Sequence, residues 1–169
     1  MLKPAILTAL LLCSAAVVFA QKAKPSTVET AIVNTIEQES RYFWARDFKN
    51  WKKQWVHEPY VVWSAASNSG VTQYYGWDAW EAQVKSFFKE SPEAIPYDPD
   101  VKKYNYFYRI YGDGAWVSFE QNNNGTITHE FRVLERKGSQ WRIAAVQLFF
   151  DANQSSLSGE GEDSQNGGR

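Results

Sequence analysis

Three side chains have the chemical types needed for acid–base work, and they lie far apart in the sequence. Tyr42 can donate a hydrogen bond from its phenol, His57 can act as a base, and the Glu130 carboxyl can hold or release a proton. Two of them also have a plain structural interpretation. Tyr42 precedes Phe43 and Trp44, which favours packing. His57 follows the end of a predicted helix, where the helix dipole favours an imidazolium.

Glu130 has the strictest structural requirement of the three. It stands between His129 and Phe131 in a predicted strand, and a carboxylate that faces a protein interior must be neutral or paired. Arg132, two positions on, or Arg109, on another predicted strand, could be the partner. A structural salt bridge and a ligand-binding or acid role are therefore both open for Glu130.

Aromatic residues make up 16% of the chain, with eight Trp, nine Tyr and ten Phe. Such side chains bury large areas, so a sizeable core is feasible without disulfides. We expect the inward-facing rings to surround a pocket that takes a small apolar or amphipathic molecule. The residues predicted to contact this ligand are Tyr42, Trp63, Trp116, Glu130 and Phe150.

The motifs that the sequence lacks narrow the classes of function. There is no glycine-rich phosphate loop, no Gly-x-Ser-x-Gly nucleophile motif and no His-Glu-x-x-His metal helix. With two histidines, and with Cys13 in the leader as the one cysteine, we expect neither a metal site nor a cofactor. The formal net charge is −1 and no basic run occurs, so nucleic acid is not an expected partner.

The first twenty residues are typical of a secretory signal peptide. Lys3 precedes an apolar run that ends in Val18-Phe19-Ala20, with small residues at the first and third places before a cut. The run is shorter than the about 20 apolar residues of a membrane span. We therefore expect cleavage near Ala20, export to the periplasm or the medium, and no stable membrane insertion. Residues 21–26 are predicted to be a linker, 27–151 one domain, and 152–169 a disordered tail.

The element predicted to position Tyr42 is an amphipathic helix from Ser26 to Trp55 that breaks and restarts near Asp47. Ser26 and Glu29 have the spacing of a capping box, and Asp47 would cap the restart. Two apolar stripes, displaced by one position, follow the helical period: Val28, Ile32, Ile36 and Phe43, then Trp44, Phe48, Trp51 and Trp55. We expect this helix to close the mouth of a curved sheet.

The rest of the chain is predicted to be sheet, apart from a helix at about 77–89 that Asp78 and Glu81 would cap. A first strand begins at Tyr60, and residues 71–75 pair with it. Four long strands follow, at about 102–111, 115–122, 127–136 and 140–150, joined by hairpins.

The faces of these strands depend on the turn lengths. A three-residue turn at 112–114 would place Trp116, Ser118 and Glu120 on the same face as Tyr106 and Tyr108. Both faces of this hairpin are apolar enough to be covered, which suggests helices and pocket on one side and a second subunit on the other. The register of the last hairpin stays open, and a slip of one residue would exchange the faces.

The order helix, helix, strand, helix and four long strands, ending in Gly138-x-x-Trp141-Arg142-Ile143, resembles the nuclear transport factor 2-like superfamily. Local marks are Ala45-Arg46-Asp47-Phe48 and Gly112-Asp113-Gly114-Ala115-Trp116. The resemblance covers residues 27–151. It implies an α+β fold: a cone-shaped, curved antiparallel sheet closed by about three N-terminal helices, also described as a cystatin-like α+β roll. It further implies an apolar cavity and, often, a homodimer formed through the outer sheet face.

Function transfers less far than fold. By resemblance, Tyr42 falls where ketosteroid isomerases carry the tyrosine of their oxyanion hole, and Glu130 falls near their second, acidic donor. The Asp base of these enzymes has no counterpart, because Trp63 and Ser64 occupy its neighbourhood. Neither side chain can abstract a carbon-bound proton, which argues against steroid isomerisation.

Three functional hypotheses remain. The first is an exported pocket protein that binds a small apolar or amphipathic molecule without a catalytic set. The second is a SnoaL-like enzyme, a cyclase, isomerase or dehydratase, which requires Tyr42, His57 and Glu130 to converge on one substrate. The third is a carbohydrate- or protein-interaction module, in which four tryptophans form one open surface: Trp51, Trp55, Trp77 and Trp80.

Overall fold

The computed structural model describes residues 26–95, 97, 101–123 and 125–150. The predicted signal peptide at 1–20 and the predicted tail at 152–169 lie outside these residues, as do residues 21–25 of the predicted linker. Three α-helices and six β-strands are formed within the described part of the chain. None of these helices is long and apolar enough to cross a membrane.

Helix α1 (Thr27–Trp44) begins with the predicted capping box. The Glu29 backbone N–H donates to Ser26 Oγ at 3.2 Å, and the Ser26 N–H donates to Glu29 Oε2 at 2.7 Å. These bonds satisfy two backbone donors that a helix start otherwise leaves free. Ile32 and Ile36 of the predicted stripe are fully buried against the sheet, so the amphipathic pattern does place this helix on the core.

The predicted break near Asp47 is confirmed. Arg46 has a φ of +58°, which turns the chain, and Asp47 caps the short helix α2 (Phe48–Trp51) by accepting from the Asn50 N–H at 3.0 Å. Hydrogen bonds from the side chain and the backbone of Asn50 lower the pKa of the Asp47 carboxyl. A 3₁₀ turn at Lys52–Gln54 then leads the chain to the sheet.

Helix α3 (Trp77–Glu90) confirms the predicted helix at 77–89, but its predicted cap is wrong. The residue before the helix is Gly76, with a φ of +84°, and no side chain caps this end. The helix begins one residue before Asp78, so the carboxylate of Asp78 lies within the first turn instead of capping it.

The six strands form one sheet in the order second, first, sixth, fifth, fourth, third. Their bounds are β1 Val62–Ser67, β2 Gly70–Tyr75, β3 Lys102–Tyr111, β4 Gly114–Asn123, β5 Thr126–Lys137 and β6 Gln140–Phe150. The four long strands match their predicted ranges to within one residue at each end. β1 starts later than predicted, because the chain turns at Glu58–Val61, where the Val61 N–H donates to the Glu58 carbonyl at 3.1 Å.

The sheet is mixed, not wholly antiparallel as predicted. All paired strands run antiparallel except β1 and β6, which are parallel. Register shifts interrupt the ladders between Tyr104 and Phe107 and between Val133 and Leu134. Such bulges bend a strand and increase its twist, which suits a sheet that wraps around the helices. The predicted α+β class with a curved sheet and N-terminal helices is confirmed.

The turn between β3 and β4 has two residues, not the three expected. Tyr111 pairs with Gly114, and Gly112 takes a φ of +55°, as the first central residue of a two-residue hairpin turn requires. The shorter turn moves the register by one residue, so the predicted faces are wrong for β4. Trp116 pairs with Arg109 on the outer face, while Val117 pairs with Tyr108 on the inner face.

Candidate functional site

A pocket of about 140 Å³ lies between α1, α3 and the inner face of the sheet. We call it the central pocket. It is lined by Glu39, Ser40, Phe43, Trp44, Trp55, Trp63, Trp80, Gln121, Glu130, Arg132, Val146 and Leu148. Larger clefts of about 540 and 460 Å³ lie at the surface, and most of their lining residues are exposed. The central pocket differs from them because it reaches buried charged groups.

Three buried charged residues form the base of the central pocket, and we call them the charged triad: Glu39, Glu130 and Arg132. Glu130 Oε2 accepts from Arg132 Nε at 3.0 Å and from Nη2 at 2.7 Å. Arg132 Nη1 donates to Glu39 Oε2 at 3.0 Å. Glu39 Oε1 also accepts from Trp51 Nε1 at 2.9 Å. Of the two arginines considered for Glu130, the structure therefore selects Arg132.

The triad holds its arginine firmly in the charged form. Burial by itself lowers the pKa of the Arg132 guanidinium, but the charges of Glu130 and Glu39, with their hydrogen bonds, outweigh burial and raise it. Arg132 is 5% exposed and Glu130 is 1% exposed. Each group would be costly to bury alone, and the pairing offsets that cost.

A second polar cluster lies beside the triad. Lys103 Nζ contacts Glu37 Oε2 at 3.3 Å, and the Tyr97 hydroxyl donates to the same oxygen at 2.8 Å. Burial lowers the pKa of Lys103 and raises the pKa of Tyr97, in the latter case with help from the bond to Glu37. Lys103 and Glu37 form a neutral pair, so the charge of the triad is not altered by this cluster.

Stacked indoles form one wall of the pocket. Trp63, on β1, stacks on Trp80, on α3, with ring centroids 4.8 Å apart and planes at 10°. Trp55 lies against Trp80 at 5.6 Å, and it is held to the sheet because the Val56 N–H donates to the Ile143 carbonyl at 2.8 Å. Phe43 and Trp44 of α1 contribute further apolar surface.

The expected hollow interior is mostly filled. Trp51 lies 5.8 to 6.0 Å from Trp55, Trp77 and Trp80, ring centre to ring centre, and all four are buried. These interlocked rings occupy the space beneath α2 and α3 that a large cavity would need. What remains is the central pocket, which is small and charged at its base, not the wide apolar cavity that the sequence suggested.

The burial of these four tryptophans contradicts the third hypothesis, the carbohydrate- or protein-interaction module. Trp51 and Trp55 are 0% exposed, Trp77 is 8% exposed and Trp80 is 5% exposed. These four rings cannot form an open platform for a sugar or a partner protein, so that prediction is wrong.

The predicted ligand-binding residues are divided by the fold. Trp63 and Glu130 line the central pocket. Tyr42 packs half-buried against the core and is not part of the lining. Phe150 pairs with the buried Thr128 at the end of β6, is 43% exposed, and also lies outside the lining. Trp116 lies on the outer face of the sheet, because of the register described above.

His57 belongs to a different part of the surface. Its ring stacks on Trp77 at 4.1 Å, its Nε2 lies 2.8 Å from the Lys52 carbonyl, and it lines the cleft of about 460 Å³ near Gly76. Among the described residues, Glu130 lines the central pocket, His57 lines the cleft near Gly76, and Tyr42 lines neither of them. The enzymatic hypothesis in the form that needs their convergence is not supported.

Glu39 is the site residue that the sequence analysis missed. A signal for it does exist, because Glu39 lies three residues after Ile36 and four before Phe43, within the buried stripe of α1. A carboxylate inside an apolar helical stripe must be paired when the helix packs. The other lining residues, such as Gln121 and Leu148, depend on strand register and carry no comparable signal.

Several buried polar atoms near the pocket have no hydrogen-bond partner among the described residues. They include Trp55 Nε1, Trp80 Nε1 and Thr128 Oγ1. Both hydrogen bonds that Glu130 accepts end on Oε2, which leaves its Oε1 without a partner in the described part of the chain. Buried polar groups are usually paired, so this region is a candidate for an additional partner.

No protein-family model matches the chain, and no curated protein matches it. Solved structures do match. A cystatin-like fold protein from Burkholderia xenovorans has a TM-score of 0.55 at 18% identity, over 73% of this chain and 91% of that one. A nuclear transport factor 2-like protein of unknown function from Silicibacter pomeroyi has a TM-score of 0.55 at 15% identity, over 75% of this chain and 100% of that one.

A nuclear transport factor 2-like protein from Cytophaga hutchinsonii also has a TM-score of 0.55, at 14% identity, over 75% of this chain and 100% of that one. Identities this low establish the architecture and carry no information about a ligand. The element order, the sheet order and these similarities agree with one another. The chain therefore has the nuclear transport factor 2-like fold, an α+β cone in which helices close a curved sheet.

Proposed function

We propose that this protein binds a small molecule in the central pocket. The observation that carries the proposal is an aromatic-walled pocket whose base is a buried charged triad. Ligand sites typically combine apolar walls with a few fixed polar groups, and Trp63, Trp80 and the triad supply both. Because replacing buried ion pairs by apolar residues is often neutral or stabilising, stability alone does not explain the triad.

The volume of the pocket limits the ligand. An engineered apolar cavity of about 150 Å³ holds one benzene molecule, and the central pocket has about 140 Å³. The pocket therefore encloses one ring, or the end of a longer amphipathic molecule whose remainder lies outside. A four-ring steroid would not fit within it, which agrees with the missing Asp base at Trp63 and Ser64.

Two further sequence-based predictions become part of the proposal. The first is export, which follows from residues 1–20 alone. The second is a homodimer formed through the outer sheet face. Four rings, which we call the outer aromatic row, support it: Phe107, Trp116, Phe131 and Phe149, with successive centroids 6.0, 5.3 and 5.7 Å apart.

Charges around the outer aromatic row favour a second copy as its partner. Arg109 lies level with Trp116, and Glu120 lies level with His129, so they flank Phe107 and Phe131 on opposite sides along the strands. A twofold rotation about the row would bring Arg109 of one copy toward Glu120 of the other. Such self-complementarity is what a symmetric dimer requires.

The ligand proposal is tested by thermal shift and calorimetry with a panel of one-ring compounds, and by native mass spectrometry for a co-purified ligand. A compound that binds should raise the melting temperature of the wild type. Trp63→Ala, which removes part of the pocket wall, should abolish that rise, and Trp116→Ala, on the opposite face, should retain it. Equal loss in both variants, or no binding by any compound together with no co-purified ligand, would count against the proposal.

A further inference from the structure

The charges of the charged triad do not cancel. Glu39 and Glu130 are both bonded to Arg132, so two carboxylates share one guanidinium and the sum is −1. The neighbouring pair of Lys103 and Glu37 adds nothing to this sum. Arg41 stands over the ring of Tyr97 at 5.3 Å, but its side chain is exposed and does not belong to the buried group. The buried groups at the base of the pocket therefore keep one uncompensated negative charge.

The free acceptor lies on the most buried of the three side chains. Glu130 is 1% exposed and lines the central pocket. Both donors from Arg132 reach Oε2, at 3.0 and 2.7 Å, and Oε1 has no partner among the residues that the structure describes. Because Glu130 lines the central pocket, a ligand there can reach this oxygen, and a cationic donor is the strongest complement of a carboxylate.

The walls of the pocket suit the same kind of ligand. Phe43, Trp44, Trp63 and Trp80 present aromatic surface to the pocket, and aromatic faces attract cations, most strongly when water is excluded. An anion would instead meet the net negative charge of two carboxylates that share one guanidinium. The indole N–H groups of Trp55 and Trp80, which have no partner among the described residues, also belong to residues that line the pocket, but they are neutral donors that a neutral acceptor on the ligand would satisfy. The negative charge at the base and the aromatic rings at the sides therefore both favour a positively charged ligand.

We propose that the central pocket selects organic cations, namely a primary or substituted ammonium group carried on an apolar body of about one ring. The ammonium group lies against Oε1 of Glu130, and the apolar body lies against Trp63 and Trp80. This inference rests on the proposed ligand-binding function and names the chemical class of the ligand.

The test compares three probes of nearly equal size on the wild-type protein: benzylammonium, benzyl alcohol and benzoate. Isothermal titration calorimetry at pH 7 should give a Kd for benzylammonium at least about tenfold lower than for benzyl alcohol, the ratio expected of a hydrogen bond to a charged group. Benzoate should bind more weakly than both. If benzyl alcohol binds as tightly as benzylammonium, or benzoate binds best, the selection of cations is refuted while the pocket function stands.

A charge-removing variant sharpens the comparison. Glu130→Gln keeps the size of the side chain but makes the triad neutral, so the preference for benzylammonium over benzyl alcohol should fall to about the same affinity for both. Glu81→Gln removes a carboxylate from the surface of α3, where it contacts Lys85 at 3.2 Å, and should keep the preference. An unchanged preference in Glu130→Gln refutes the assignment to Glu130. If no probe binds the wild type, both the selection of cations and the proposed binding of one-ring molecules in the central pocket are refuted.

Discussion

Arg132 binds Glu130 two residues away on the same strand, with Nε and Nη2 at 3.0 and 2.7 Å from one carboxylate oxygen. Residues two apart on a strand point to the same face, so β5 alone brings the two side chains together. The third member, Glu39, comes from α1, 93 residues earlier in the chain. The triad thus joins a local pair to a long-range one and ties the first helix to the centre of the sheet.

Removing the guanidinium should destabilise the protein strongly. Arg132→Met leaves Glu39 and Glu130 buried without a counter-charge, and breaking a buried pair in this way typically costs about 3–5 kcal/mol. Urea unfolding at pH 7 should show this loss in the free energy of unfolding. Lys89→Met, on the exposed surface of α3, is the control and should change the free energy of unfolding by less than about 0.5 kcal/mol. Similar values for both variants would contradict the role given to the triad.

Replacing the whole triad should cost far less than breaking it. In a variant with Glu39→Gln, Glu130→Leu and Arg132→Met, no charge is left unpaired, and Gln keeps an acceptor for Trp51 Nε1, which now bonds to Glu39 at 2.9 Å. Buried ion pairs exchanged for apolar residues are often neutral or stabilising. We expect a free energy of unfolding within about 1 kcal/mol of the wild type or above it, measured in urea, together with loss of benzylammonium binding. A stability as low as that of Arg132→Met would show that the triad is chiefly structural.

The cap at Asp47 should contribute stability that depends on pH. Its pKa in the folded protein is lowered from 3.8, the ordinary value, so the stabilisation is fully present above that value and is lost as pH falls through the folded pKa. Asp47→Ala should lose about 0.5–2 kcal/mol at pH 7, as helix caps do. The difference from the wild type should shrink as the pH is lowered below 3.8. Urea unfolding across this pH range measures it.

Asp78 supplies the matched control for that experiment. The sequence marked both aspartates as caps, but the structure gives Asp78 no capping bond. Asp78→Ala should lose only its interaction with the helix dipole, which is worth about 0.3–1 kcal/mol. A loss as large as that of Asp47→Ala, with the same pH dependence, would contradict the assignment of the caps.

The secondary structure could be predicted from the sequence because its signals are local. The capping box at Ser26, the break at Asp47 and the alternation of the long strands each depend on residues within one or two turns. The pairing of Tyr111 with Gly114 shows where prediction from local signals fails. Whether Gly112-Asp113-Gly114 forms a turn of two or three residues decides the face of Trp116, and short-range pattern does not distinguish the two.

The candidate site was harder to predict from the sequence, because it depends on contacts between residues that are far apart in the chain. Glu130 and Trp63 were recognised as inward-facing, but the pairing of Arg132 with Glu39 requires the packing of α1 on β5. The filling of the interior by Trp51, Trp77 and their neighbours was also missed. An aromatic stripe has the same sequence pattern whether its rings surround a cavity or interlock with one another.

The outer aromatic row gives the last prediction, on the oligomeric state. Phe107 is 62% exposed, so Phe107→Arg should not disturb the fold, but it would place two cations against each other across a symmetric interface. Light scattering coupled to size exclusion should show a dimer for the wild type and a monomer for Phe107→Arg. Tyr75→Arg is the control, because Tyr75 is 65% exposed on β2 at the opposite edge of the sheet, and it should remain dimeric. A monomeric wild type, or an unchanged dimer in Phe107→Arg, would show that this face does not bind a second copy.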